Sequence, residues 1–114
     1  MITVGDLPSS IRVGPYDFTI TIKDKLDNDE HGNCHLDAQE IQLRSTAPSP
    51  HFAADTVLHE LIHAAWKVGG LPARATEEHV ATVVATQLTQ VFRDSPAILA
   101  WLASKVSPPP SSSA

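Results

Sequence analysis

The sequence predicts an α+β fold in which a small antiparallel sheet packs on helices. Short segments before residue 45 alternate apolar and polar residues, with the two-residue period of half-buried strands. After residue 50 the apolar residues recur at helical spacing, and residues typical of helix starts stand at three points. The predicted order is three strands and then three helices. They form one domain over residues 1–106, because a chain of 114 residues builds a single core.

The predicted strands are short and separated by turn-forming residues. Residues 11–13 form the first strand, which a Gly-Pro turn at 14–15 ends. Residues 18–22 (Phe-Thr-Ile-Thr-Ile) alternate strictly and give the second. The segment 24–32 is charged and polar, so we expect a loop there. Residues 40–44 alternate again and form the third strand, directly upstream of the helices.

The first predicted helix runs from residue 50 to about residue 68. A Ser-Pro pair at 49–50 supplies an N-cap and a proline at the first helical position. Two glycines at 69–70 supply the C-terminal stop. The apolar face that should turn to the core consists of Leu58, Leu61, Ile62 and Ala65.

Two further helices follow. Thr76 is the predicted N-cap of the second, and Glu77 and Glu78 behind it complement the positive end of the helix dipole. A Ser-Pro pair at 95–96 ends that helix and caps a short third helix, residues 97–106. The remaining Pro- and Ser-rich residues, 107–114, have nothing to bury, so we expect a flexible tail.

The composition indicates which classes of partner to exclude and which cellular compartment to expect. The formal net charge is −5 and no dense Lys/Arg stripe occurs, which argues against nucleic acid and anionic membranes as partners. The single cysteine, Cys34, excludes an internal disulfide framework and suits a reducing compartment. The start of the chain lacks the pattern of a signal peptide, and no apolar run approaches the roughly 20 residues of a membrane span. We therefore expect a cytoplasmic protein.

One motif carries chemistry, His59-Glu60-Leu61-Ile62-His63 in the first helix. Helix residues four apart share a face, so His59 and His63 can direct two imidazoles at one point. Zinc accepts such nitrogens at about 2.0–2.1 Å and keeps a place for water. Glu60, one step round the helix, can take a proton from that water. The motif predicts Zn²⁺ as cofactor, His59 and His63 as ligands and Glu60 as general base.

A catalytic zinc site needs a third protein ligand. One class of such enzymes takes a histidine six residues after the second, but Gly69 stands there, so that class is excluded. The other class takes a glutamate from the next helix, where Glu77 and Glu78 both stand.

Three stretches, residues 40–43, 55–64 and 78–85, together resemble the gluzincins. More narrowly they are similar to small HExxH proteins of phages and mobile elements, akin to the ImmA/IrrE-like peptidases. The resemblance implies a zincin-like core of two helices with Glu78 as third ligand. Counting from Glu78 reproduces the small and apolar positions of the family, except that Thr82 replaces the usual Asp. The apolar stripe of the second helix favours Glu77, which stays the alternative.

These features predict a zinc metallopeptidase that hydrolyses a peptide or protein substrate, with the strand at 40–44 as an edge for aligning it. The alternative is a non-catalytic, zinc-stabilised regulatory module of phage or mobile-element origin, because resemblance alone does not establish activity. A latent peptidase blocked by Cys34 or by the tail is a third hypothesis. The side chains available to stabilise an oxyanion are Tyr16, His51, Arg74 and His79.

Overall fold

The computed structural model describes residues 1–107, so the predicted tail lies outside the described residues from Pro108 onward. Within residues 1–107 the fold is α+β, with strands first and helices after them. The strands are β1 (Ile2–Thr3), β2 (Ser10–Val13), β3 (Tyr16–Lys23), β4 (Gly32–His35), β5 (Glu40–Arg44) and β6 (Thr46–Ala47). The helices are α1 (Pro50–Val68), α2 (Glu77–Asp94) and α3 (Pro96–Val106).

The main sheet is mixed, which corrects the expected antiparallel sheet. Its strand order is β2-β3-β5-β4, and β3 pairs with β5 in parallel while the two outer pairs are antiparallel. The strand β4, which lies between β3 and β5 in the chain, was not predicted from the sequence. This strand adds one more reversal of chain direction, so β5 returns parallel to β3. The short strands β1 and β6 form a separate two-stranded pair.

The position of β5 also corrects the expected edge strand. Residues 40–44 pair with β3 on one side and with β4 on the other, so β5 is interior and has no free edge for a substrate. The two end strands of the sheet are β2 and β4, and β4, which lies beside β5, has the sequence Gly-Asn-Cys-His with low β propensity. Pairing with β5, rather than its own composition, makes this segment a strand.

The helix α1 packs on the sheet through buried small and aliphatic residues. Leu61 is 1% exposed, whereas its neighbour Ile62 is 39% exposed, so Ile62 does not belong to the apolar face as expected. The shared core contains side chains from the sheet and all three helices; among the most buried are Ile11, Val13, Phe18, Leu43, Leu61, Val91 and Ile98. This packing fixes which face of α1 turns away from the core.

Both ends of α1 have the predicted chemistry. The Ser49 hydroxyl accepts a hydrogen bond from the Phe52 N–H at 3.1 Å, and Pro50 occupies the first turn. At the other end Gly70 adopts a φ of 72°, which L side chains rarely adopt. The Gly70 N–H bonds the Lys67 carbonyl and the next N–H bonds the Trp66 carbonyl, a Schellman motif that stops the helix.

The caps of α2 and α3 differ from each other. The Thr76 hydroxyl accepts a hydrogen bond from the His79 N–H at 3.2 Å, as predicted for an N-cap. Ser95 makes no such bond to α3. Its hydroxyl instead accepts a hydrogen bond from the Arg12 N–H of β2 at 3.0 Å, and so ties the α2–α3 corner to the sheet. No helix within residues 1–107 combines the length and the apolar character needed to cross a membrane.

Candidate functional site

The candidate site is a pocket between α1 and the edge strand β4. One wall is formed by β4 and by Glu30 and His31 before it, and the other is the α1 face from Asp55 to Lys67. His59, Glu60 and His63 all line this pocket. The three residues of the motif therefore meet at one place, as their helical spacing predicts.

The two histidines are spaced for a shared metal ion. Their Nε2 atoms lie 3.1 Å apart, with ring centroids at 4.7 Å and ring planes at 74°. A tetrahedral zinc ion with bonds of 2.0–2.1 Å places two ligand nitrogens about 3.3 Å apart. The pair thus fits two corners of a zinc tetrahedron. The same separation lets one neutral ring donate a hydrogen bond to the other.

The environment of His63 favours the neutral ring that binds metals. Partial burial lowers the pKa of His63 below its ordinary value, and the nearby His59 and the Lys67 cation lower it further. Metal ligation requires an unprotonated imidazole nitrogen. The lowered pKa of His63 therefore favours the ring form that can bind a metal.

Glu60 is buried although it is charged in its ordinary state. Its exposed fraction is 5%, and burial raises the pKa of its carboxyl above the ordinary value. Gly32 of β4 lies directly over it, since a Cβ added at Gly32 would come within 3.2 Å of Glu60 Cγ and 3.1 Å of Thr56 Cγ2. A carboxylate with a raised pKa is a stronger proton acceptor at neutral pH. A larger residue at position 32 would require the Glu60 and Thr56 side chains to shift by a few tenths of an ångström.

The predicted third ligand is not brought to the histidine pair. Glu78 and the alternative Glu77 are exposed in the first turn of α2, and neither lines the pocket. Within residues 1–107 no group of three or more His, Cys, Asp and Glu side chains is arranged to hold a metal ion. The α2 residues nearest Gly69, at the end of α1, are Val83 and Gln87, five and nine residues after Glu78. Glu78 and Glu77 as ligands stay predictions.

None of the four side chains predicted to stabilise an oxyanion lines the pocket; these are Tyr16, His51, Arg74 and His79. The cation that does line it is Lys67. A sequence signal for Lys67 existed, because it stands four residues after His63 and eight after His59 on the same helix face. The pocket residues Glu30 and Asn33 had no such signal, since only the fold of β4 brings them here.

Cys34 also lines the pocket, and it packs partly against the core. Burial raises the pKa of the Cys34 thiol, although the Lys67 cation opposes this shift. The thiol is therefore protonated at neutral pH, and a thiol is a poorer metal ligand and nucleophile than a thiolate. This argues against Cys34 as a ready zinc ligand.

Zinc is expected to stabilise the protein through the histidine pair. At a free concentration about 100 times its dissociation constant, zinc raises the free energy of unfolding by about 2.7 kcal/mol. His63→Ala should lose most of this gain, because it removes one of the two adjacent imidazoles that would hold the ion. The measurement is a thermal melt with zinc or with chelator. His51→Ala, an exposed histidine on the same helix, is the control and should respond like the wild type. Equal stabilisation of His63→Ala and wild type would contradict zinc binding by this pair.

Comparisons of this chain with protein-family models, with curated proteins and with solved structures give no match.

Proposed function

We propose that the protein is a zinc-dependent peptidase whose working centre is the pocket between α1 and β4. The observation that carries the proposal is a buried carboxylate, Glu60, on the helix that holds two imidazole nitrogens 3.1 Å apart. A carboxylate beside two imidazoles at this spacing supplies the general base and two of the three protein ligands that hydrolysis at zinc requires. The kinship with gluzincins and small phage HExxH proteins belongs to this proposal and rests on the motif residues.

In the proposed reaction Glu60 moves the protons. It takes a proton from the attacking water and then delivers it to the nitrogen of the leaving amine, as the C–N bond breaks. When bound, zinc supplies a Lewis acid that polarises the scissile carbonyl. His59 and His63 would hold the ion, with Glu78 as the third ligand and Glu77 as its alternative. The raised pKa of Glu60 suits both halves of this proton transfer.

The edge strand β4 is suited to hold an extended substrate. Its pairing register with β5 makes Asn33 and His35 the residues that bond β5 through the backbone. The N–H and C=O groups of Gly32 and Cys34 consequently point to the other side, where β4 has no neighbouring strand in the main sheet. A peptide can pair with these groups directly beside the α1 face. This role, first predicted for residues 40–44, is here proposed for β4.

The test is cleavage of a broad peptide library by zinc-loaded protein, followed by mass spectrometry. Wild type should cleave peptides, a chelator should stop cleavage, and added zinc should restore it. Glu78→Gln and Glu77→Gln are then compared for zinc affinity, because the variant that lacks the third ligand should bind zinc more weakly than the other. Zinc bound at one ion per chain without cleavage of any peptide would overturn the peptidase proposal.

A second candidate function is a zinc-stabilised regulatory module that binds a partner without cutting it. The observation that favours it is the exposure of Glu77 and Glu78 away from the pocket. A histidine pair without a carboxylate ligand binds zinc but gives it less of the fixed geometry that catalysis needs. The library experiment separates the two functions, since this module retains metal and shows no turnover.

A further inference from the structure

We propose that Lys67 binds a carboxylate of an extended peptide that lies along β4, and so selects acidic substrates. The inference rests on the proposed function, because it assigns a substrate class to the same pocket. It is carried by the shape of the groove, by the distribution of charge along it, and by the free ammonium group of Lys67.

The pocket continues as a groove past the histidine pair. A second depression, lined by residues 35–38, shares Cys34 and Lys67 with the first. Lys67 therefore lies where the two depressions join. Asp55 and Lys67 are 12 residues apart on one helix, which is about 18 Å. An extended peptide of about five residues spans this distance.

The ends of the α1 wall differ in charge. Asp55 and Glu30 line the end nearest the start of α1, and Lys67 lines the other. Lys67 is the sole Lys or Arg side chain among the described residues that line either depression. Asp37 also lines the Lys67 end, so a peptide carboxylate meets one cation and one carboxylate there, but two carboxylates and no cation at the Asp55 end.

The Lys67 ammonium group is free to take a new partner. Among residues 1–107 the ion pairs are made by Arg12, Arg44 and Arg93, and none involves Lys67. It lines the same pocket as Glu60, His63 and Cys34. Lys67 lies one helical turn, about 6 Å, beyond His63. This places the bound carboxylate about two residues from the cleaved bond.

The size of the effect follows from the exposure of Lys67. Exposed ion pairs contribute about 0.2–1 kcal/mol, and the upper value corresponds to a ratio of about fivefold. We therefore expect a Glu-containing peptide to bind about 1.4- to fivefold more tightly than its Gln counterpart at low salt. Added salt should reduce this preference, because it screens exposed charges.

The experiment measures peptide binding and peptide cleavage separately. Peptides that differ only by Glu, Gln or Lys at one position, with both ends blocked, are titrated into zinc-loaded Glu60→Gln protein and followed by fluorescence anisotropy. A second set has Gln and a free C-terminus, which distinguishes a terminal carboxylate from a side-chain carboxylate. The same titrations are made with Lys67→Gln and Lys67→Glu introduced beside Glu60→Gln. Lys25→Glu, an exposed lysine outside both depressions, is the charge-matched control.

The expected result is that the protein with Lys67 prefers the peptide that carries a carboxylate. Lys67→Gln should remove this preference, and Lys67→Glu should reverse it in favour of the Lys-containing peptide. Lys25→Glu should leave it unchanged. Equal affinity for all peptides, both in Glu60→Gln protein that keeps Lys67 and in the same protein with Lys67→Glu, would overturn the inference. A loss of kcat for every peptide in Lys67→Gln, with unchanged binding ratios, would also overturn it, because Lys67 would then act on the reacting carbonyl. Charge-selective binding without any cleavage would instead overturn the peptidase proposal and leave the carboxylate site standing.

Discussion

Replacing Glu60 by Gln is expected to lower kcat/KM for a cleaved peptide by about 10²–10⁴-fold, the range that a general base contributes. Gln has nearly the same shape but cannot accept the proton from water. The two histidines keep their places on α1, so one zinc ion per chain should still bind. The measurements are steady-state cleavage of the best library peptide and metal content after dialysis.

The same variant separates lost chemistry from lost folding. Burial raises the pKa of Glu60 in the folded protein, so the folded state binds its proton more tightly than the unfolded state. This group therefore contributes stability below its unfolded pKa, and the contribution is lost as pH rises through the raised folded pKa. Gln does not titrate, so Glu60→Gln does not lose stability in this way as the pH rises. The metal-free variant should melt at or above the temperature of metal-free wild type at neutral pH.

Two outcomes would contradict this assignment. Undiminished cleavage by Glu60→Gln would show that another group accepts the proton. A variant that melts well below metal-free wild type would show that the carboxylate has a structural partner, so its lost activity would say nothing about proton transfer. Asp55→Asn, a substitution of an exposed carboxylate at the rim of the same pocket, is the control and should retain most of the activity.

Replacing Leu61 by Ala is expected to lower the free energy of unfolding by about 2–5 kcal/mol. Leu61 is 1% exposed and belongs to the core between α1 and the sheet, so the substitution leaves a cavity. Domains of this kind have total stabilities of about 5–15 kcal/mol, so the loss is a large fraction of the whole. Urea unfolding of the metal-free protein measures it.

The neighbouring residue supplies a matched control. Ile62 is 39% exposed on the same helix, and Ile62→Ala also removes an aliphatic side chain. We expect a change below about 1 kcal/mol, because little buried area is lost and Ala has the higher helix propensity. Similar losses in the two variants would contradict the orientation of α1 and with it the outward position of the histidine pair.

Local chemistry made the helices predictable. The start and end of α1 were predicted because Ser49, Pro50 and the two following glycines act within a few residues of the helix ends. The strand β3 was predicted from strict alternation in the same way. The strand β4 was not, since Gly-Asn-Cys-His carries little strand propensity and becomes a strand only by pairing with β5. With β4 missed, both the parallel pair and the true edge of the sheet were missed as well.

The residues of the candidate site also differ in whether local sequence spacing predicts their positions. His59, Glu60 and His63 were predicted and share a pocket, because residues three and four apart on a helix share a face whatever packs around them. The predicted role of Glu78 as third zinc ligand depends on how α2 packs against α1. Within the described residues, Glu78 does not line the pocket that contains the histidine pair. The spacing of Lys67 from His63 could be read from the sequence. Whether Lys67 can bind a substrate depends on a groove that only β4 completes.

The sequence by itself determined the α+β class, the helix ends and the placement of two imidazoles and one carboxylate close together on α1. These features depend on interactions between residues that are only a few positions apart in the chain. Only the tertiary structure decided which strand forms the sheet edge, that Gly32 covers Glu60, and that Lys67 rather than Tyr16 or Arg74 faces the pocket. Those features join residues that are distant in the chain, and their positions are fixed by core packing and strand pairing rather than by local preference.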